Sequence, residues 1–248
     1  MKYLILSDIH GNLEALQSVL SELKSEDIEF DECITLGDLV GYGANPNEVI
    51  DKIKELKPKA AIRGNHDRVA SGMEDAYDFN RAAQKAILWT RSQLSSESRD
   101  YLVKLPQGPA EVADLFDIVH GAPWDEDYYI FEWQEALTAF QRSERNLIFF
   151  GHTHVPVIWT FNDAEIGGEL IPDGHNERSL EEGKRYLINP GSVGQPRDRN
   201  PKASMAILDT DEMNIQFRRV EYDIESAQKK IRQAGVDSFL ADRLAEGI

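Results

Sequence analysis

Tyr3-Leu4-Ile5-Leu6-Ser7-Asp8-Ile9-His10-Gly11-Asn12 is the stretch on which the reading of this chain turns. Four apolar residues run unbroken into polar ones, the pattern of a short buried strand that ends abruptly. Asp8 and His10 are two apart, so on an extended segment they point to one side. A carboxylate beside an imidazole is the start of a metal site. Gly11 permits a sharp turn, and Asn12 suits the cap of a following helix. Leu13, Leu16, Leu20 and Leu23 continue at helical spacing to Ser25.

The same figure recurs down the chain. Cys33-Ile34-Thr35-Leu36 reads as a second strand ending at Gly37-Asp38. Asn45-Pro46-Asn47-Glu48 opens a helix that stops near Pro58. Ala60-Ala61-Ile62 is a third strand, ending at Arg63-Gly64-Asn65-His66-Asp67. This βαβαβ order predicts parallel strands with right-handed crossovers. Residues 68–105 lack strand patterning and predict a helical insertion of one or two helices. Strands return at Leu115 to Val119, ending at His120, and at Leu147 to Phe150, ending at Gly151-His152-Thr153-His154. A helix is expected between them, over Gln134 to Arg142. Pro156 to Phe161 extends beyond the last of these strands. The polar, acidic segment 162–184 is expected to be an exposed loop or hairpin. Tyr186-Leu187-Ile188 runs into Asn189-Pro190-Gly191-Ser192-Val193-Gly194. Ser204 to Leu208 and Asn214 to Val220 alternate like an antiparallel pair, and helical periodicity resumes from Ile224. No repeat or linker divides the 248 residues, so one domain over 1–248 is expected.

Composition narrows the function. The net charge is −17, from 27 basic and 44 acidic residues, which disfavours binding to a phosphate backbone by counterion release. The single cysteine, Cys33, excludes an internal disulfide and a thiolate cluster. The apolar stretch before Asp8 is too short for a signal peptide, and no stretch approaches a membrane span, so a cytoplasmic protein is expected. Five of the six histidines stand at strand ends. In parallel α/β sheets ligands bind off the carboxyl ends of the strands. Asp8, His10, Asp38, Asn65, His120, His152 and His154 would gather there. Oxygen and imidazole donors without sulfur favour Mn, Fe, Zn, Ni or Co. Seven candidate ligands are too many for one tetrahedral ion and suit two divalent ions sharing a carboxylate, equipment for phosphate ester hydrolysis.

Asp8-x-His10, Gly37-Asp38, Gly64-Asn65-His66-Asp67, His120 and Gly151-His152-Thr153-His154 together resemble the ordered blocks of the calcineurin-like metallophosphoesterase superfamily, and its small prokaryotic phosphoesterases in particular. The resemblance spans residues 3 to about 209. It implies a four-layer α-β-β-α sandwich with mixed sheets. It also implies Asp8, His10 and His154 on one metal, Asn65, His120 and His152 on a second, and Asp38 bridging. By the same likeness a hydroxide between the ions attacks the phosphate ester, and His66 assists the leaving group as a catalytic residue. Asp67 either orients His66 or makes a loop hydrogen bond. Arg63 either contacts phosphate or forms an inner salt bridge. Arg197 either reaches over the site or closes its own loop. Tyr42 stands where protein serine/threonine phosphatases and dinucleoside tetraphosphatases carry an arginine, which leaves a small phosphodiester or monoester as the expected substrate. The rival readings are a nuclease, against which the charge argues, and a non-catalytic scaffold for protein partners, which predicts a broken ligand set.

Overall fold

The computed structural model describes every residue except Asp163. Two six-stranded mixed sheets stack face to face, with helices outside each. The first sheet is built on β1 (Lys2–Leu6), β2 (Glu32–Thr35) and β3 (Ala60–Ala61), which run parallel. They are joined by α1 (Leu13–Ser25) and α2 (Pro46–Leu56). Asn12 caps α1 by accepting from the Ala15 N–H at 3.1 Å, and Pro46 opens α2. The helical segment that follows holds three helices rather than one or two: α3 (Asn65–Ser71), α4 (Arg81–Gln93) and α5 (Ser96–Lys104). The first of them begins at Asn65 itself, so the candidate ligand sits on a helix N-terminus and not on a strand end.

The second sheet follows in the order β4 (Ala110–Val112), β5 (Phe116–Ile118), β6 (Leu147–Phe149), β10 (Arg185–Asn189), β7 (Val157–Phe161) and β8 (Ile166–Leu170). Helix α6 (Trp133–Arg142) lies between β5 and β6 in sequence. Within 162–184, where residue 163 lies outside the described residues, β8 pairs with β7. Its successor β9 (Asn176–Ser179) pairs instead with β12 (Asn214–Val220) in the first sheet. The segment therefore supplies one edge strand to each sheet. β11 (Ala203–Asp209) lies antiparallel between β1 and β12 and completes the first sheet. Helices α7 (Ile224–Gln233) and α8 (Ser238–Asp242), with a 3₁₀ turn at Arg243–Ala245, close the chain against α4.

Alternation along β1 explains the layering. Tyr3 and Ile5 point into the space between the sheets, against Phe116 and Phe149, while Leu4 and Leu6 point outward onto α1 and α2. Each face of the strand is covered, which is why its sequence is continuously apolar. The outer face of the second sheet packs on Ala136, Ala139 and Phe140 of α6.

Candidate metal centre

The segments that follow β1, β2, β3, β5 and β6 deliver the polar residues to one place. Their backbones are unusual. Asp8, His10, Asp38, His152 and His154 all hold left-handed conformations, with φ between 50° and 65°. Non-glycine residues in that region carry strain that the surroundings must hold. The surroundings are backbone hydrogen bonds between the loops: Asp8 N–H to Gly37 O at 3.1 Å, His10 N–H to Asp38 O at 2.9 Å, and Gly11 N–H to Leu39 O at 2.9 Å. Gly64 packs so closely that a Cβ there would meet Asp38 Oδ1.

The ligand atoms form two groups that share one carboxylate. Asp8, His10, Asp38 and His154 offer atoms within 4.8 Å of one another, as do Asp38, His120 and His152. All six side chains are buried. Asp38 Oδ2 lies 3.6 Å from His10 Nε2 and 3.4 Å from His120 Nε2, between the two groups. Its other oxygen accepts from the His66 N–H at 2.9 Å. Asn65 Oδ1 is 3.3 Å from His120 Nε2, so Asn65 joins the second group.

The imidazoles are aimed by backbone carbonyls. His10 Nδ1 donates to Val40 O at 3.2 Å, His154 Nδ1 to Gln195 O at 2.6 Å, His120 Nδ1 to Leu36 O at 2.8 Å, and His152 Nε2 to Asp127 O at 3.1 Å. Each ring thereby turns its other nitrogen inward, the arrangement that fixes the tautomer of a metal-binding histidine. Burial holds His10 and His154 well below the usual imidazole range, so both rings are neutral. Their Nε2 atoms nonetheless approach to 3.1 Å. Two lone pairs that close repel one another, and a cation between or beside them removes the conflict. The donor set therefore fits metal binding. Burial would push Asp38 up, but His120 beside it, foremost among the lowering influences, holds it well below the carboxylate range, ready to ligate as an anion. Burial, together with the neighbouring Asp38 charge, raises Asp8 to about 6.

Residues 1–213 match the calcineurin-like phosphoesterase superfamily domain. The chain belongs to that superfamily. It is accordingly a phosphoester hydrolase, and the mixed two-sheet fold is that of the metallophosphoesterases. It is 39% identical over 251 residues to MJ0912, an uncharacterized protein of Methanocaldococcus jannaschii, covering 98% of this chain and 97% of that one. It is 26% identical over 224 residues to the phosphodiesterase YfcE of Escherichia coli K12, covering 87% and 91%. A metallophosphoesterase structure from Sphaerobacter thermophilus superposes with a TM-score of 0.87 at 37% identity, over the full length of both chains.

Around the shared cluster the remaining expected residues of this phosphoesterase divide. His66 is buried beside the ligands, its ring 4.8 Å from that of His10 and 4.5 Å from Tyr42. Burial lowers it to about 4. Asp67 makes the loop hydrogen bonds. The Asp67 carboxylate accepts from Gly64 N–H at 3.1 Å and Val40 N–H at 3.2 Å, and so ties the start of α3 to the Asp38 loop. Arg63 makes the inner salt bridge, to buried Glu126 at 3.3 Å, with Gln107 at 3.1 Å. Arg68 shares Glu126 and also bonds Asp127. Arg197 bonds both within its own loop and to a neighbouring one. It donates to Gln195 Oε1 at 3.0 Å and Tyr42 Oη at 3.5 Å, its guanidinium lies 5.8 Å from the Tyr42 ring centre, and its buried Nε has no partner among the described residues.

Two supports escaped sequence reading. Asn189, fully buried, donates from Nδ2 to Gly151 O at 2.8 Å and Thr153 Oγ1 at 3.0 Å, and accepts from Gly191 N–H at 2.8 Å. It clamps the turn that carries His152 and His154. Tyr129 stacks on His152 with ring centres 3.8 Å apart. The Asn189–Gly194 turn motif was the available signal for the first; an isolated tyrosine in a loop gives none for the second.

Proposed function

We propose that this phosphoesterase works with two divalent ions, drawn from Mn, Fe, Zn, Ni and Co, and hydrolyses a small phosphodiester or phosphomonoester. The observation that carries this reading is Asp38 Oδ2, flanked by His10 and His120 and common to both ligand groups. In this reading Asp8, His10 and His154 hold one ion, Asn65, His120 and His152 the other, and Asp38 touches both. Bound there, the pair would supply Lewis acidity toward phosphoryl oxygens and lower the pKa of water.

The chain's own residues would do the rest. The Nδ1 edge of His66 packs on Gly41, where an added Cβ would meet it, and this leaves Nε2 as the nitrogen for substrate. A neutral His66 holding its proton there donates a hydrogen bond to the oxygen of the departing alcohol as charge develops on it. Arg197 carries the guanidinium that position 42 lacks, delivered over the Tyr42 ring, and its unspent N–H groups suit a phosphate oxygen. Relatedness to the phosphodiesterase YfcE favours the diester. The net charge of −17 argues against polyanionic nucleic acid as substrate. A scaffold role is not favoured, because the ligand set and His66 are both intact.

Purified protein supplied with Mn should hydrolyse a generic aryl phosphodiester, and a chelator should stop it. His66→Ala should lower kcat by about 10²- to 10⁴-fold while metal content stays near normal. Undiminished turnover in that variant overturns the role given to His66.

A further inference from the structure

Among the described residues the two sheets have four edges, and three of them are blunted. β3 has two residues, β4 has three, and β9 (Asn176-Glu177-Arg178-Ser179) is wholly polar. The fourth, β8, is Ile166-Gly167-Gly168-Glu169-Leu170, with one charge, no lysine and no proline, and all of it beyond Ile166 is exposed. An edge strand without such devices is a template for another strand. Ile171 N–H bonds Pro156 O at 3.0 Å, and Glu165 O accepts from Asn162 N–H at 3.3 Å. Alternate residues of an antiparallel strand turn their backbone groups to opposite sides. Ile166, Gly168 and Leu170 therefore present theirs away from β7, where no further strand receives them. The same three residues line an apolar groove of about 760 Å³ with Phe131, Trp133 and Trp159. An added Cβ at Gly168 would meet the Trp159 indole, so the indole lies against the strand. Phe131, Trp133 and Leu170 are 57%, 51% and 70% exposed. Apolar surface continuous with an open strand marks an interaction face.

We infer that a second copy of this chain occupies that face, the two β8 strands pairing antiparallel about a two-fold axis at Gly168 and joining their sheets into one. The strand is self-complementary in that register. Gly168 meets Gly168, and Ile166 of each copy meets Leu170 of the other. These are the residues whose backbone groups point outward, so each of those groups gains a partner. Apolar side chains then face apolar side chains, and the groove of one copy continues into that of the other. The net charge of −17 sets a second condition: copies that repel each other must meet where carboxylates are few. Glu169, the one acid of the strand, bonds Arg178 at 2.9 Å. In this register it stands opposite Gly167 and not opposite a second Glu169, so like charges are not paired across the axis.

Sedimentation of the purified protein at micromolar concentration should give twice the mass of the chain. Leu170→Lys should weaken association by about 100-fold, because each dimer loses two buried leucines, with far-UV circular dichroism unchanged. Cross-linking reads the register. Positions 167 and 169 of opposite copies form a non-hydrogen-bonded pair with Cα atoms about 4.5 Å apart, within reach of a disulfide. A Cβ added at Gly167 meets nothing within 4 Å, and Cys33 is buried. Gly167→Cys protein mixed with Glu169→Cys protein and oxidised should therefore yield a covalent dimer of one variant with the other, identified by mass spectrometry. A monomer at micromolar concentration overturns the inference. So does a dimer that folded Leu170→Lys leaves intact, or one whose mixed cysteine variants do not cross-link.

Discussion

Asn189→Ala removes the clamp on the His152–His154 turn without touching any ligand. The wild-type side chain makes two donor bonds, to Gly151 O and Thr153 Oγ1, and one acceptor bond from Gly191 N–H. Gly151 O keeps a second donor in the Thr153 N–H at 2.7 Å, so it is not orphaned. Among the described residues the Gly191 N–H has no other acceptor in this buried turn. One orphaned donor costs about 1–3 kcal/mol and each lost bond about 0.5–1.5 kcal/mol, which together give a loss on the order of 3 kcal/mol. For a chain of this size that corresponds to a fall in Tm of roughly 6–12 °C. His152 and His154 sit in left-handed conformations that the clamp helps to hold, so affinity for Mn should also fall, by about 10- to 100-fold. Thermal unfolding with and without Mn, together with metal titration, measures both. Asn189→Asp gives the contrast: it can still accept from Gly191 but cannot donate to Gly151. A Tm within 2 °C of wild type, as a rough bound on a sub-kcal effect, and unchanged affinity in the alanine variant would refute the clamp.

Other outcomes follow from single features of the structure. Gly41→Ala should depress turnover much as loss of His66 does, with metal content retained, because the added Cβ would meet His66 Nδ1 and the residue's φ is +96°; normal kinetics would contradict the packing. Cys33 is buried and its thiol is pushed up to about 12. In the unfolded chain it ionises near 8.5, so its contribution to stability is intact below that pH and is lost as pH rises toward 12, by about 1.4 kcal/mol per unit. Cys33→Ala should flatten that slope in alkaline unfolding curves, and the folded wild type should resist thiol alkylation near neutral pH. An identical slope in the variant would assign the alkaline loss to other groups.

Much of the fold and of the candidate site could be read from residues alone, because apolar runs ending in ligand-type residues mark strand termini in parallel sheets. The alternation within Tyr3 to Leu6 even contains the layering, since both faces of β1 are covered. Less visible were features set by distant partners. Three strands, β4, β8 and β9, are short or polar and are defined by pairing rather than by pattern. Nothing in the sequence marks Asp8, His10, Asp38, His152 and His154 as left-handed, because that strain is imposed by hydrogen bonds between loops. Asp67 and Arg63 looked alike as neighbours of the Asn65-His66 block. Only the folded chain shows that one is taken up by backbone N–H groups and the other by Glu126. Arg197 lies 155 residues beyond the Tyr42 hydroxyl it contacts, so that contact is set by tertiary structure.

The most direct test is to count and locate the metal. Protein loaded with Mn and freed of excess should carry two ions per chain by elemental analysis. Anomalous scattering from its crystals should put one beside His10 and His154 and one beside His120 and His152, both in contact with Asp38. A single ion, or a second one lying away from Asp38, would contradict the shared-carboxylate centre.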